Sequence, residues 1–228
     1  MDQIPTDSTS RPWLASFLRI FFQWLYHPFA WMYDAVAAIV SFGEWQRWVQ
    51  SVLPYIKGNH ILELGHGPGH LAARIAQNHN VFYTGLDESA QMSKLARRNN
   101  SKSPHASQVA WVRGMAERPP FAPQQFDTIV ATFPTEYIFQ PATLENCARM
   151  LKPDGSMVVL LAVDFERTSL RGIILKWIYT FLGQAKPSPQ VLEKIHQRFY
   201  SAGLVADLEW VKAEPCTFLM LKAKRTPK

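Results

Sequence analysis

Ile61-Leu62-Glu63-Leu64-Gly65-His66-Gly67-Pro68-Gly69 decides how the rest of the chain is read. Four residues of strand character run into a turn with glycine at every second position, and helix-compatible sequence begins at His70. Glycines in such a turn permit positive φ and let the backbone approach a ligand closely. A strand, glycine turn and helix in this order serve dinucleotides, other nucleotides or an adenosyl sulfonium, so the flanking residues have to discriminate.

Glu63 places a carboxylate just before the glycines, where a pyrophosphate would be repelled and an amino-acid ammonium would find a partner. That favours a zwitterionic ligand. Asp87 stands at the end of the next predicted strand, where a carboxylate can accept hydrogen bonds from ribose hydroxyls. The bland readings are a solvated strand-end charge for Glu63 and a helix N-cap for Asp87.

Downstream of Gly58, short apolar runs alternate with helical stretches, the pattern of an α/β domain on a largely parallel sheet. Seven strands are predicted: Ile61 to Leu64, Val81 to Leu86, Val109 to Val112, Phe126 to Thr132, Met157 to Val163, Leu204 to Val211 and Thr217 to Lys222. Helices fit at His70 to Asn78, Ala90 to Asn99, Ala142 to Leu151 and Gln190 to Ala202, the third stopping before Lys152-Pro153. An insertion spans 164–189 and carries an amphipathic stretch from Arg171 to Gly183. Residues 1–57 read as a separate aromatic lid and 58–228 as the main domain.

With 228 residues, 47% of them hydrophobic and 18% charged, the chain can bury enough apolar surface to offset ordering entropy, which excludes a disordered protein. Two cysteines, Cys147 and Cys216, are too few for a disulfide framework or a cysteine-ligated zinc site, and the isolated histidines lack metal-ligand spacing. A reducing cytoplasm is the expected compartment. The net charge of +6 suits polyanions or anionic membrane surfaces. Of 29 aromatic residues, 12 lie in the first 50 positions, away from the basic tail at Lys222 to Lys228, so lipid ranks above nucleic acid as a partner.

The aromatic stretch from Trp13 to Phe42 is interrupted by Arg19, Gln23, His27, Pro28 and Asp34, which argues against a membrane-spanning helix. Two readings stay open: an interfacial helix on a membrane, and a lid packed on the main domain.

Four motifs in order, ILELGHGPG (61–69), GLDES (85–89), FDTIVATFP (126–134) and RMLKPDGSMVVLLAV (149–163), resemble those of class I S-adenosylmethionine-dependent methyltransferases. Tyr33-Asp34, Ser41-Phe42-Gly43 and Trp48 are similar to the N-terminal pattern of ubiquinone and menaquinone C-methyltransferases, whose outline phospholipid N-methyltransferases share. The resemblance implies a Rossmann-like α/β fold: a seven-stranded, mostly parallel sheet ending in a hairpin, with helices on both faces and a helical aromatic N-terminal lid. S-adenosyl-L-methionine is the implied cofactor. Glu63, Gly65, Gly67 and Gly69 match the loop that holds its methionine moiety, Asp87 the ribose carboxylate, and Met92 an apolar flank of the adenine. Met115, Ala116 and Glu117 fall in the stretch that contacts the adenine amino group, with Met115 where the family often has an aspartate. Thr132 ends the fourth strand beside the cofactor.

The implied function is methyl transfer to a lipophilic small molecule, a quinone-type ring or a lipid headgroup, at a membrane surface, with a non-catalytic cofactor- or lipid-binding scaffold as the alternative. Candidate bases are His27, Asp34 and Glu136, with Tyr26, Tyr33 and Tyr137 as orienting hydroxyls. His66 reads as a loop filler.

Overall fold

The computed structural model describes residues 44–77, 80–101, 106–165, 189–214 and 216–226. Among them are seven strands: β1 (His60–Leu64), β2 (Phe82–Asp87), β3 (Val109–Arg113), β4 (Phe126–Thr132), β5 (Leu151–Phe165), β6 (Leu204–Ala213) and β7 (Cys216–Arg225). They form one sheet in the order β3-β2-β1-β4-β5-β7-β6. β1 to β5 are mutually parallel, and β7 pairs antiparallel with both β5 and β6. The order runs outward from β1 on one side and from β4 on the other. Their boundary is therefore the topological switch point, where open α/β sheets bind ligands at the carboxyl ends of the strands.

The helices are α1 (Trp45–Gln50), α2 (His70–Ile75), α3 (Ala90–Asn100), α4 (Pro141–Met150) and α5 (Pro189–Ser201). Strand side chains alternate between two cores. Ile61, Tyr83, Val130 and Val158 face α1 and α2 through Trp48, Val49, Leu71 and Ile75. Leu62, Leu64, Ile129 and Val159 face α4 and α5 through Leu144, Cys147, Ile195 and Phe199. The same period of two sends Glu63 to the α1–α2 face, under the glycine turn. Two-sided burial explains why Ile61 and Leu62 of β1, and Ile129, Val130 and Ala131 of β4, are apolar at consecutive positions.

β5 starts at Leu151, six residues before the predicted Met157. Lys152-Pro153 does end a helix, but a register shift between Phe126 and Thr128 lets Leu151 pair with Phe126 before the regular ladder resumes at Ser156. α2 ends at Ile75 rather than Asn78, its last turn tightened by Gln77 N–H donating to the Arg74 carbonyl at 3.3 Å. α1 falls within residues 1–57, which read as a helical lid with no bounds for this helix; it anchors the chain's approach to β1 by burying Trp48 and Val49. His27, Asp34, Tyr26, Tyr33 and the amphipathic stretch from Arg171 to Gly183 lie outside the described residues. No described helix is long and apolar enough to cross a membrane.

Candidate functional site

Gly65, Gly67 and Gly69 all adopt positive φ, at 68°, 51° and 81°, which L side chains rarely adopt. Their surroundings differ. A Cβ on Gly65 would sit 2.6 Å from the Tyr137 hydroxyl, and one on Gly69 would sit 2.7 Å from Trp111 and 2.8 Å from the Asn100 side chain, so both positions also require the absence of a side chain. At Gly67 a Cβ would meet nothing within 4 Å, which leaves the crest of the turn open. The turn is tied down by Asn100 and Asn99 of α3, which donate to the Gly69 and Pro68 carbonyls at 3.2 and 3.1 Å.

Asp87, at the carboxyl end of β2, links the turn to the next helix. Its Oδ2 accepts from Gly67 N–H at 3.0 Å and its Oδ1 from Ser89 N–H at 2.8 Å. One backbone bond per oxygen fixes the carboxylate and leaves acceptor capacity on each. Ser89 caps α3, its hydroxyl accepting from Met92 N–H at 3.2 Å. The N-cap reading considered for Asp87 thus belongs to Ser89.

Glu63 is 2% exposed, and its carboxylate accepts a hydrogen bond from the Tyr83 hydroxyl. Burial raises its pKa to about 8; the Tyr83 bond opposes that rise and the Asp87 charge adds to it. Tyr83, itself 1% exposed, is pushed well above its ordinary value by burial and by the Glu63 charge. Register explains the contact: Glu63 pairs with Gly85 across β1 and β2, and Tyr83 lies two residues earlier on the same face.

The space that Gly85 leaves is filled by His66, 3% exposed, whose ring would lie 2.9 Å from a Cβ there. The imidazole stands edge-on to Trp111 at 4.7 Å and donates from Nδ1 to the Gly67 carbonyl at 2.8 Å. Burial lowers its pKa and keeps the ring neutral, the Asp87 charge pulling the other way. His66 is thus a buried support of the turn, consistent with a loop filler.

Across the switch point, Thr132 ends β4 and Phe133 follows at φ 47°, a strained setting for a non-glycine residue that clusters at functional sites. Its ring lies 4.9 Å from Trp45 and 6.5 Å from Trp48, so α1 forms a wall beside the carboxyl end of β4. Tyr137 reaches back to donate to the Leu64 carbonyl at 3.1 Å, over Gly65. Glu136 opens the same short 3-10 turn, Glu136–Phe139, and is exposed.

The third group of sequence candidates follows β3 beside Asp87, whose carbonyl accepts from Gly114 N–H at 3.0 Å. Met115 is 51% exposed, Ala116 and Glu117 are half-buried, and the Glu117 carbonyl accepts from Asn146 of α4 at 3.0 Å. Met92 is 1% exposed, held in the packing of α3. The glycines, Glu63, Asp87, Thr132 and Tyr137 therefore gather at the carboxyl ends of β1, β2 and β4, and Glu136 stands at the rim. Tyr83 and Phe133 were not singled out from sequence. For Tyr83 the signal was there: two strands of period two place residue 83 on the face of residue 63. A cavity of about 290 Å³ lies at the opposite, amino ends of the strands, between His60, Phe82 and Gln125, remote from the glycine turn.

Residues 61–155 match a family model described as a methyltransferase domain. The chain is 29% identical over 155 residues to the ubiquinone/menaquinone biosynthesis C-methyltransferase UbiE of Geotalea daltonii, covering 65% of this chain and 64% of the relative. It is 31% identical over 159 residues to the demethylmenaquinone methyltransferase of Symbiobacterium thermophilum, covering 66% and 62%. The chain thus spans somewhat less than two thirds of the length of these curated relatives. Among solved structures, phosphoethanolamine N-methyltransferase 2 of Haemonchus contortus superposes with a TM-score of 0.59 at 16% identity, over 81% of this chain and 54% of that one. The cyclase SpnF superposes at 0.58 and 16% identity, over 80% and 82%.

Proposed function

We propose that this chain, which carries a class I S-adenosylmethionine-dependent methyltransferase domain related to UbiE, methylates a lipophilic small molecule, with a quinone-type ring ahead of a lipid headgroup. The observation that carries the reading is the juxtaposition of Asp87 with the open crest of the glycine turn at Gly67. The donor set fits the cofactor: Asp87 offers free acceptor capacity to a ribose diol, Glu63 can meet an ammonium, and the backbone at Gly67 leaves room for close approach. When bound, S-adenosylmethionine supplies an electrophilic methyl group on a sulfonium, which becomes neutral as the methyl leaves.

The residues of the chain then have three tasks. Asp87 and the turn bind and orient, which is where much of the rate of an in-line displacement originates. Phe133 and Trp45, half-buried and backed by the buried Trp48, form an apolar wall that suits a greasy ring on the acceptor side. Glu136, exposed at the start of the turn that carries Tyr137, is our candidate among the described residues to take a proton from an acceptor hydroxyl or activated ring carbon, with Tyr137 to orient it, and His27 and Asp34 remain candidates from the N-terminal segment. The relatives' names support the quinone class. The aromatic sequence from Trp13 to Phe42, read as a lid that rests on a membrane, would let such an acceptor enter without crossing water; that segment with the stretch to residue 57 forms the lid unit and 58–228 the catalytic unit.

Calorimetric titration with S-adenosylhomocysteine, with NADH as control, should give micromolar binding of the former only. Incubation with radiolabelled methyl donor and demethylated quinones should then yield labelled quinone. Binding without transfer to quinones or phospholipids would move the scaffold reading ahead, and binding of neither nucleotide would overturn both.

A further inference from the structure

Glu63 has one polar partner among the described residues, and that partner is not a backbone amide or a cation but the phenol of Tyr83. Both side chains are removed from water, on the α1–α2 face of the sheet beneath the glycine turn. A lone carboxylate in such a place, with only one hydrogen bond and the Asp87 charge nearby, is better accommodated as the neutral acid. An arriving ammonium reverses that preference, because the charged pair is then mutually compensated. We propose that Tyr83 is a positioning residue of the cofactor site, holding Glu63 as a buried acid that gives up its proton to solvent when a ligand ammonium binds. This rests on the cofactor reading given above and adds the proton linkage and the residue that tunes it.

The balance is simple. Glu63 as the carboxylic acid plus the ligand ammonium become the carboxylate–ammonium pair plus one proton in the buffer. The Tyr83 hydroxyl donates to the Glu63 carboxyl group in both states, and its hydrogen bond is stronger in the ionised one. The pKa near 8 supports the protonated resting form at neutral pH. The charged and titratable groups that bear on the pair are few: Asp87 at the end of β2, His66 in the turn, neutral through burial, and Arg97 of α3, which acts on His66.

The test is calorimetric titration with S-adenosylhomocysteine in buffers of different ionisation enthalpy. Between pH 6 and pH 7 a ligand α-amino group stays protonated, since even the α-amino group of a chain terminus titrates only at about 7.7–8.0 and the carboxylate beside it in a free amino acid raises that value. In that window the intact chain should gain about tenfold in affinity and release nearly one proton per ligand bound. Glu63→Gln should bind with no such gain and no proton release. Tyr83→Phe removes the bond that favours the carboxylate, so Glu63 should keep its proton to higher pH. The ratio of wild-type to Tyr83→Phe affinity should hold steady from pH 6 to 7 and shrink from pH 7 to 9, the ligand's own titration cancelling in the ratio. A purely structural tyrosine would give a ratio constant over the whole range, which would remove Tyr83 from the site. A flat wild-type profile without proton release would overturn the proposal and leave the cofactor reading standing. Failure of the intact chain to bind at any pH would overturn both.

Discussion

Two acidic side chains at opposite ends of the central strands have opposite circumstances. Asp127, at the amino end of β4, accepts from the backbone N–H groups of Asn59 and His60 at 3.1 and 2.9 Å and from Lys152 Nζ at 2.8 Å. What burial it has pulls its pKa up, but the Lys152 and backbone bonds pull harder, and the carboxyl ends below its ordinary value. Glu63, near the carboxyl end of β1, has one phenol and a pKa raised to about 8. The amino end of the sheet is satisfied and closes the fold; the carboxyl end holds acceptors whose partners are incomplete. A binding site needs that incompleteness, since a carboxylate already matched by its own chain has little to gain from a ligand.

The largest effect should come from the residue that joins turn to site. Asp87→Ala removes acceptors for Gly67 N–H and Ser89 N–H as well as for a ribose, so S-adenosylhomocysteine affinity should fall by about 2 to 4 kcal/mol. Calorimetry at constant pH reads it, and an unchanged Kd would refute the ribose assignment. Asp127→Ala should act in the opposite sense, costing about 2 kcal/mol of folding stability in urea titration while the surviving folded fraction binds S-adenosylhomocysteine as before. If the two substitutions weakened binding equally, the division between a closing end and a binding end would not hold.

The difference between the two ends also explains what sequence could reveal. The glycine turn, Asp87 and the alternation of strands are local signals, each within one element or its flank, and they led to the right strands and sheet class. β5 was misjudged because Lys152-Pro153-Asp154-Gly155 reads locally as loop, whereas a register shift beside Asp127 and the Lys152–Asp127 bond draw it into the strand. α1 has only six residues and no capping side chain, so its bounds were not legible within the stretch read as a helical lid; the burial of Trp48 holds it. His66 was placed in the turn but its support of Gly85 depends on a neighbouring strand. The Glu63–Tyr83 pair is the extreme case, a diagonal contact between strands that exists only once β1 and β2 are in register.

The same pair makes a smaller and more stringent prediction about the ligand-free chain. Folded Glu63 keeps its proton to about pH 8, whereas an unfolded glutamate loses it near 4.5. Between those values the folded state binds more protons than the unfolded state, so this group's contribution to stability is complete below pH 4.5 and is lost as pH rises toward 8. His66 and Asp127 act in the other direction. Both have depressed pKa values, and both cost stability as pH falls, the former below about 6.5 and the latter below about 3.8. The readout must therefore be a difference, the Tm of the intact chain minus that of Glu63→Gln, in which the other groups cancel. From pH 5 to pH 6 that difference should drop by about 3 °C, the equivalent of about 1 kcal/mol in a domain of this size. Adding saturating S-adenosylhomocysteine should abolish the drop, because an ionised Glu63 then has its ammonium. A difference that stays constant without ligand would mean that the Glu63 carboxyl ionises in the folded chain as readily as in water, and that its burial beneath the glycine turn imposes no cost for an ammonium to relieve.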